Sequence, residues 1–273
     1  MKKLGFVILT WNSEKVIGNC LESIAKLKDY EVKVVVVDNG STDETLIIIE
    51  NHKQLFCDEK HLELLSLNCN MGTTKSRNMG IKKMHDRDYI CILDSDTVIN
   101  QDAIDHMIDV LEIDARNGIV GPKMETSEGV LQNSGRHIPT IKEKIYKVLP
   151  FKSAQNKANH MERYDDIKGD VVRPVGYLMS ACWLIKQEVI EDVGLLDENI
   201  FYAPEDVEYC IRVWRSNFRV LYDNNSSIIH EWQRLSRKKL ISKHNYEHIK
   251  GLLYMYRKHK FLFNADKIEK LVY

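Results

Sequence analysis

Apolar runs that end in small polar clusters recur through the first half of this chain, with helical patterns between them. That alternation limits the fold more than any other feature. Residues 4–9, 32–37, 62–67 and 89–93 read as buried strands, several of them rich in β-branched residues. Val16, Ile17, Cys20, Leu21 and Ile24 follow the first run at helical spacing, and Ser41-Thr42-Asp43-Glu44 opens a helix after the second as a capping sequence. A helix from about residue 74 to 84 precedes the fourth run; Ile104, Met107, Ile108 and Leu111 mark another, and residues 118–121 a short strand. The pattern predicts an α/β fold, a mainly parallel, Rossmann-like sheet with helices on both faces. Ligands of such sheets bind beyond the carboxyl ends of the strands, where Thr10-Trp11-Asn12, Asp38-Asn39-Gly40 and Asp94-Ser95-Asp96 all fall.

At 273 residues the chain can bury one sizeable core, with room for a helical appendage. A net charge of -1 gives no global attraction for nucleic acid, so any anion site must be local. The six cysteines show no C-x-x-C pair and mostly lie in apolar segments, which predicts reduced core thiols in a reducing compartment. Met1-Lys2-Lys3 and the apolar stretch after it are too short for a leader peptide and read as a first strand; no run could span a bilayer.

Beyond residue 122 the pattern loosens. Residues 123–173 predict loops with one short helix at 141–148; order resumes at 177–185, with a helix at 188–193. A helix from Pro204 carries Val207, Cys210, Ile211 and Trp214 on one face, and residues 219–222 and 226–230 read as late strands. The remainder is helical, with Ile249, Leu252, Leu253 and Tyr256 on one side and Lys250, Arg257, Lys258 and Lys260 elsewhere.

Asp94 and Asp96, one residue apart after a run that must bury itself, can hold a divalent cation facing a phosphate or can cap the next helix. Asp38 can accept hydrogen bonds from a base or ribose, or its segment can simply cap a helix; Arg77 can steady a base or phosphate, or be a surface charge. Glu205, Asp206 and Glu208 suit a helix dipole, yet Glu205 and Asp206 also follow Phe201-Tyr202 as a base beside a sugar surface would. His230 ends a strand next to Glu231 and Trp232, as a core residue or a ligand. Arg234, Arg237, Lys238 and Lys239, around Ser236, form a basic patch: a solvated face, or a loop that folds over a diphosphate.

In order along the chain, Phe6 to Asn12, Val36 to Asp43, Asn70-Met71-Gly72 with Arg77-Asn78-Met79-Gly80, Leu93 to Asp96, and Pro204 to Val207 resemble family 2 glycosyltransferases of the GT-A fold. Leu131-Gln132-Asn133-Ser134-Gly135-Arg136 with Pro139, Val193 to Glu198, and Ile229-His230 further resemble the rhamnosyltransferase-like branch. The resemblance implies inverting transfer from a nucleoside diphosphate sugar, dTDP-rhamnose or a UDP-sugar, to a saccharide or lipid-linked acceptor. It implies a GT-A domain over residues 1–235, divided into a nucleotide-binding half at 1–122 and an acceptor half at 123–235, then a basic helical extension at 236–273. Thr10, Asn12, Asp38, Arg77 and Asp94 would bind the nucleotide, Ser236 and Arg237 the diphosphate, and Trp183, Glu205 and Trp232 the acceptor. Asp96, His230 and Asp94 would hold Mn2+ or Mg2+, and Asp206, beside Glu205, would be the catalytic base. The implied setting is cytoplasmic, with no nucleic-acid partner and a C-terminal helix that can approach a membrane. Three positions depart from the family pattern: Glu208, Ser180 and Ala203-Pro204. Asp94-Ser95-Asp96-Thr97-Val98 also fits the signature of haloacid dehalogenase-like phosphatases, in which Asp94 would be a nucleophile, and a non-catalytic sugar-nucleotide-binding module is a further alternative.

Overall fold

A computed structural model describes residues 1–57, 60–164, 169, 171–231, 243–262 and 264–272. Residues 2–125 contain β1 (Lys2–Thr10), α1 (Ile17–Ala25), β2 (Tyr30–Asp38), α2 (Thr45–His52), β3 (Lys60–Ser66), α3 (Thr73–Ile81), β4 (Tyr89–Asp94), β5 (Thr97–Val98), α4 (Gln101–Ile113) and β6 (Asn117–Glu125). Then follow β7 (Leu131–Gln132), β8 (Gly135–Arg136), α5 (Ile141–Val148), α6 (Lys152–Glu162), β9 (Val172–Pro174), β10 (Tyr177–Leu178) and β11 (Cys182–Lys186). The chain continues through α7 (Gln187–Val193), α8 (Glu205–Arg215), β12 (Arg219–His230), α9 (Lys243–His259) and α10 (Asp266–Val272).

The main sheet runs β3-β2-β1-β4-β11-β6-β12-β5, with β7 on β6 and β9 on β12. The first four strands are parallel; β11 runs against both β4 and β6, β12 is parallel to β6, and β5 runs against β12. Register sets Thr10 beside Asp38 and Leu9 beside Asp94, so three polar clusters share one edge. His230, ending β12, pairs with Thr97 of β5 and returns to that edge from the far side of the sheet.

Both faces are covered, which is why these strands read as continuous apolar runs. Phe6, Ile8, Val34, Val36 and Leu93 pack with Ile17, Leu21, Ile104 and Met107 of α1 and α4. Val7, Val35, Val37 and Ile92 face Ile81, Val207 and Met255 on the other side. Cys20, Cys91, Cys182 and Cys210 are buried free thiols, whereas Cys57 and Cys69 are exposed.

Several expectations change. Residues 123–173 hold two helices; α6 escaped notice because its only buried positions are Ala158 and Glu162, too few to mark an apolar face. The two late strands are one, β12, with a register shift between Asp223 and Ser227. On α9 the inward face is Gly251, Met255, Tyr256 and His259, while Ile249 and Leu253 point to solvent. The expected boundary at residue 235 lies outside the described residues, and α9 and α10 join the core through Met255, Tyr256, Ile268 and Val272. Among the described residues, no helix is long and apolar enough to cross a membrane.

Candidate active site and metal centre

Asp94, Asp96 and His230 converge at the sheet edge, with one ligand atom from each within 4.8 Å of the others. His230 Nε2 lies 3.3 Å from Asp96 Oδ1. Its Nδ1 lies 2.7 Å from Gln132 Oε1, while Gln132 Nε2 donates to the His230 carbonyl at 2.9 Å. This double clasp assigns the Nδ1 proton to Gln132 and aims Nε2 at the two carboxylates. Burial opposes charge on the imidazole, but its hydrogen bond to Asp96 prevails and raises its pKa. Burial likewise raises the Asp94 carboxyl, helped by Asp96 and opposed by Arg77. Two hard carboxylate oxygens and an oriented imidazole nitrogen form a donor set that fits Mg2+ or Mn2+, whose charge would relieve the crowding of the acids.

Arg77 is 3 % exposed and stands behind Asp94. Its Nη2 donates to Asp94 Oδ1 at 2.7 Å and to the Ser180 carbonyl at 3.1 Å, while Nη1 donates to Ser180 Oγ at 2.8 Å and Glu205 Oε1 at 3.2 Å. Both terminal nitrogens are thus spent inside the protein. Arg77 is a buried bridge between the candidate metal-site carboxylate and the start of α8. Ser180, read as a departure near the acceptor, also donates to Glu205 Oε1 at 2.9 Å and closes the triangle.

Helix α8 begins after the cis Ala203-Pro204 bond, one residue later than the sequence predicts. Burial and the adjacent Asp206 push the Glu205 carboxyl up to about 8 despite Arg77. Burial raises Asp206 as well, countered by its own Val207 amide, Arg136 and Lys144. Asp206 is the more open of the pair. A cleft of about 700 Å³ is lined by Gln132, Asn133, Arg136, Met179, Tyr164 and Tyr222, among others. It touches both sides of the site: Gln132 clasps His230, and Met179 precedes Ser180. Asn133 Oδ1 is buried there without a partner among the described residues.

Other expected residues behave differently. Asp38 is fully buried, its carboxylate accepting from the Gly40 and Ser41 amides and the Ser41 hydroxyl, so it caps its own turn. Thr10 Oγ1 is buried without a partner among the described residues, and Asn12, at φ 52, accepts the Thr42 amide through Oδ1 at 2.8 Å. Trp183 is fully buried on β11, its indole N–H given to the Leu178 carbonyl at 3.2 Å and its ring stacked on Tyr209, so it is a core residue with no face for an acceptor. Trp232, Ser236 and Arg237 lie outside the described residues, as do Arg234, Lys238 and Lys239. Gln132 and Ser180 were not singled out as site residues; only the motif around Leu131-Gln132 pointed near the first.

Residues 6–194 match the family described as glycosyl transferase family 2. The chain belongs to that family. Among curated proteins it is 24% identical over 220 residues to the low-salt glycan biosynthesis hexosyltransferase Agl10 of Haloferax volcanii, covering 80% of this chain and 63% of that one. It is 24% identical over 242 residues to the N-acetylglucosaminyl-diphospho-decaprenol L-rhamnosyltransferase of Mycobacterium tuberculosis, covering 83% and 75% of the two chains. Against the Staphylococcus aureus poly-beta-1,6-N-acetyl-D-glucosamine synthase the identity is again 24%, but the match spans 48% of that protein. Among solved structures, GalNAc-T7 with UDP, GalNAc and Mn2+ superposes with a TM-score of 0.72 at 16% identity, covering 94% of this chain and 48% of that one. TarS 1-349 of S. aureus with UDP-GlcNAc gives 0.64 at 18%, covering 100% and 70%. The mannosyltransferase PcManGT of Pyrobaculum calidifontis with GDP-Man and Mn2+ gives 0.62 at 16%, covering 94% and 64%. The likeness shows the GT-A fold. With the family match, it removes the phosphatase reading of Asp94, whose Oδ1 is in any case held by Arg77.

Proposed function

We infer that this family 2 glycosyltransferase moves a sugar from a nucleoside diphosphate sugar to a hydroxyl of a saccharide or lipid-linked saccharide, with inversion at the anomeric carbon. The observation that carries the reading is the Asp94, Asp96 and His230 triad at the strand ends, joined through Arg77 and Glu205 to Asp206. Asp94, Asp96 and His230 would hold Mg2+ or Mn2+, which would supply Lewis-acid stabilisation of the departing diphosphate. Gln132 keeps His230 turned toward that site, and Arg77 holds Asp94. Asp206, more accessible than Glu205 and raised in pKa by burial, accepts the proton of the acceptor hydroxyl as its oxygen attacks opposite the leaving group. Such a single displacement inverts the configuration. Glu205 keeps α8 in place through Arg77 and Ser180.

The cleft between Gln132 and Met179 suits the acceptor: its wall carries the amides of Gln132 and Asn133, with Asn133 Oδ1 unpartnered among the described residues, and Arg136, whose charge acts on the proposed base. Thr10 and Asn12 border the donor side. Screening nucleotide sugars for metal-dependent release of nucleoside diphosphate tests the activity. In the Asp206→Asn variant, transfer should fall by about 10²–10⁴-fold with donor affinity kept. If no nucleotide sugar is turned over with either metal, the reading fails.

A further inference from the structure

The hairpin of α5 and α6 turns through Pro150 and carries a cluster of open apolar side chains: Ile145 is 48%, Val148 81% and Phe151 64% exposed. Lys142, Lys152 and Lys157 are exposed around them, and Lys144 and Lys147 are half-buried. The only acids from residue 141 to 162, Glu143 and Glu162, are buried. Glu143 pairs with Lys144 and Lys147, each at 3.3 Å, and Glu162 with Arg136 at 2.5 Å and Lys147 at 2.6 Å. The hairpin therefore shows solvent an apolar tip ringed by lysines, with no carboxylate among these residues.

We propose that the α5–α6 hairpin docks the protein on an anionic bilayer, Val148 and Phe151 entering the boundary between headgroups and acyl chains while Lys142, Lys152 and Lys157 meet lipid phosphates. Apolar groups of this size gain by leaving water, and lysine stems reach back from an interface to the headgroups. The exposed cations complement a negative lipid surface. A second copy of the chain fits poorly, because a two-fold contact would set the same lysine ring against itself.

The outward face of α9 has the same character. Tyr246, Ile249 and Leu253 are exposed there, on the helix side opposite Gly251 and Met255, together with Lys250 and Arg257. The start of α5 meets the segment that follows α9, where the Ile141 amide donates to the Leu262 carbonyl at 3.0 Å. At its base the hairpin reaches the proposed acceptor side, since Glu162 holds Arg136 in the cleft wall. Docking would present that side to a lipid-anchored acceptor, a consequence that rests on the proposed function; the docking itself does not.

Flotation of the full chain with vesicles of phosphatidylcholine alone, or with added phosphatidylglycerol, tests the proposal. The protein should float with the anionic vesicles only, and less so as salt rises. Val148→Ser with Phe151→Ser should weaken binding about tenfold or more, and Lys152→Glu with Lys157→Glu should abolish the preference for anionic lipid. Thermal midpoint and nucleoside diphosphate release should match the parent, since these side chains are open to solvent. Absence of flotation, or equal flotation by the variants, overturns the proposal. A concentration-dependent dimer in light scattering, lost in the serine variant, assigns the patch to a second copy and overturns it too. Flotation without turnover of any nucleotide sugar would leave docking standing and remove the transferase reading.

Discussion

Arg77 and Glu205 meet at 3.2 Å, both nearly closed to solvent, on residues 128 apart in the chain. The same guanidinium holds Asp94 at 2.7 Å. One side chain from α3 thus ties the last residue of β4 to the first residue of α8.

Cutting that tie should be costly. Arg77→Met leaves Asp94, Glu205 and the Ser180 carbonyl and hydroxyl without the donor they share, and the expected loss of stability is about 3–5 kcal/mol in urea unfolding. Arg77→Lys should restore only part of it, because an ammonium cannot fork to two carboxylates as a guanidinium does. A loss below about 1 kcal/mol for Arg77→Met would mean that water replaces those hydrogen bonds at little cost.

The Glu205 carboxyl gives a pH dependence of definite sign. It rises from an ordinary 4.5 to about 8 in the folded protein, since burial and Asp206 outweigh the ion pair that would by itself lower it. Between those values the folded state keeps a proton that the unfolded chain has lost. This group's contribution is therefore fully present below about 4.5 and is lost as pH climbs through about 8. Unfolding midpoints taken across that range should fall less steeply for Glu205→Gln than for the parent; parallel curves would contradict the assignment.

Gln132 should matter to the proposed metal without being one of its ligands. Its removal frees the His230 ring to turn, and Gln132→Ala is expected to weaken Mn2+ binding by about 10–100-fold in a manganese titration followed by electron paramagnetic resonance. Gln132→Glu, which keeps the acceptor for Nδ1, should recover much of the affinity. Unchanged binding in the alanine variant would show that another contact orients the ring.

Gly72 precedes α3 at φ +85, and a Cβ there would lie 2.3 Å from the Phe201 carbonyl oxygen, which also accepts the Thr73 amide at 2.7 Å. Both the backbone angle and the contact forbid a side chain. Gly72→Ala should cost about 1–3 kcal/mol, read as a lower thermal midpoint, since the nearest atom is a backbone carbonyl that cannot swing away.

Much of the site could be read before the structure. The runs ending at Thr10, Asp38 and Asp94 were legible because strands covered on both faces need no alternation, and the polar residues that stop such runs must sit at the sheet edge. Asp94 and Asp96 announced a cation for the same reason. His230 reaches them only through β5, and its Gln132 clasp joins residues 98 apart, which no local pattern encodes. Trp183 shows the opposite failure. An aromatic beside an expected pocket invites a functional role, but whether its ring faces the pocket or the core depends on strand orientation, and β11 turns it inward onto Tyr209. Asp38 answers to its own turn because the backbone of Gly40 and Ser41 folds its amides back onto the carboxylate.

The inner side of α9 rests on the loop that starts α8: a Cβ at Gly251 would lie 2.3 Å from the Ala203 carbonyl oxygen. That contact lies two residues before Glu205 and three before Asp206. Close-packed interiors leave such a contact no room to give. The glycine at 251 is therefore what lets α9 lie flat against the turn that sets the proposed base, and any larger residue there would have to move one or the other.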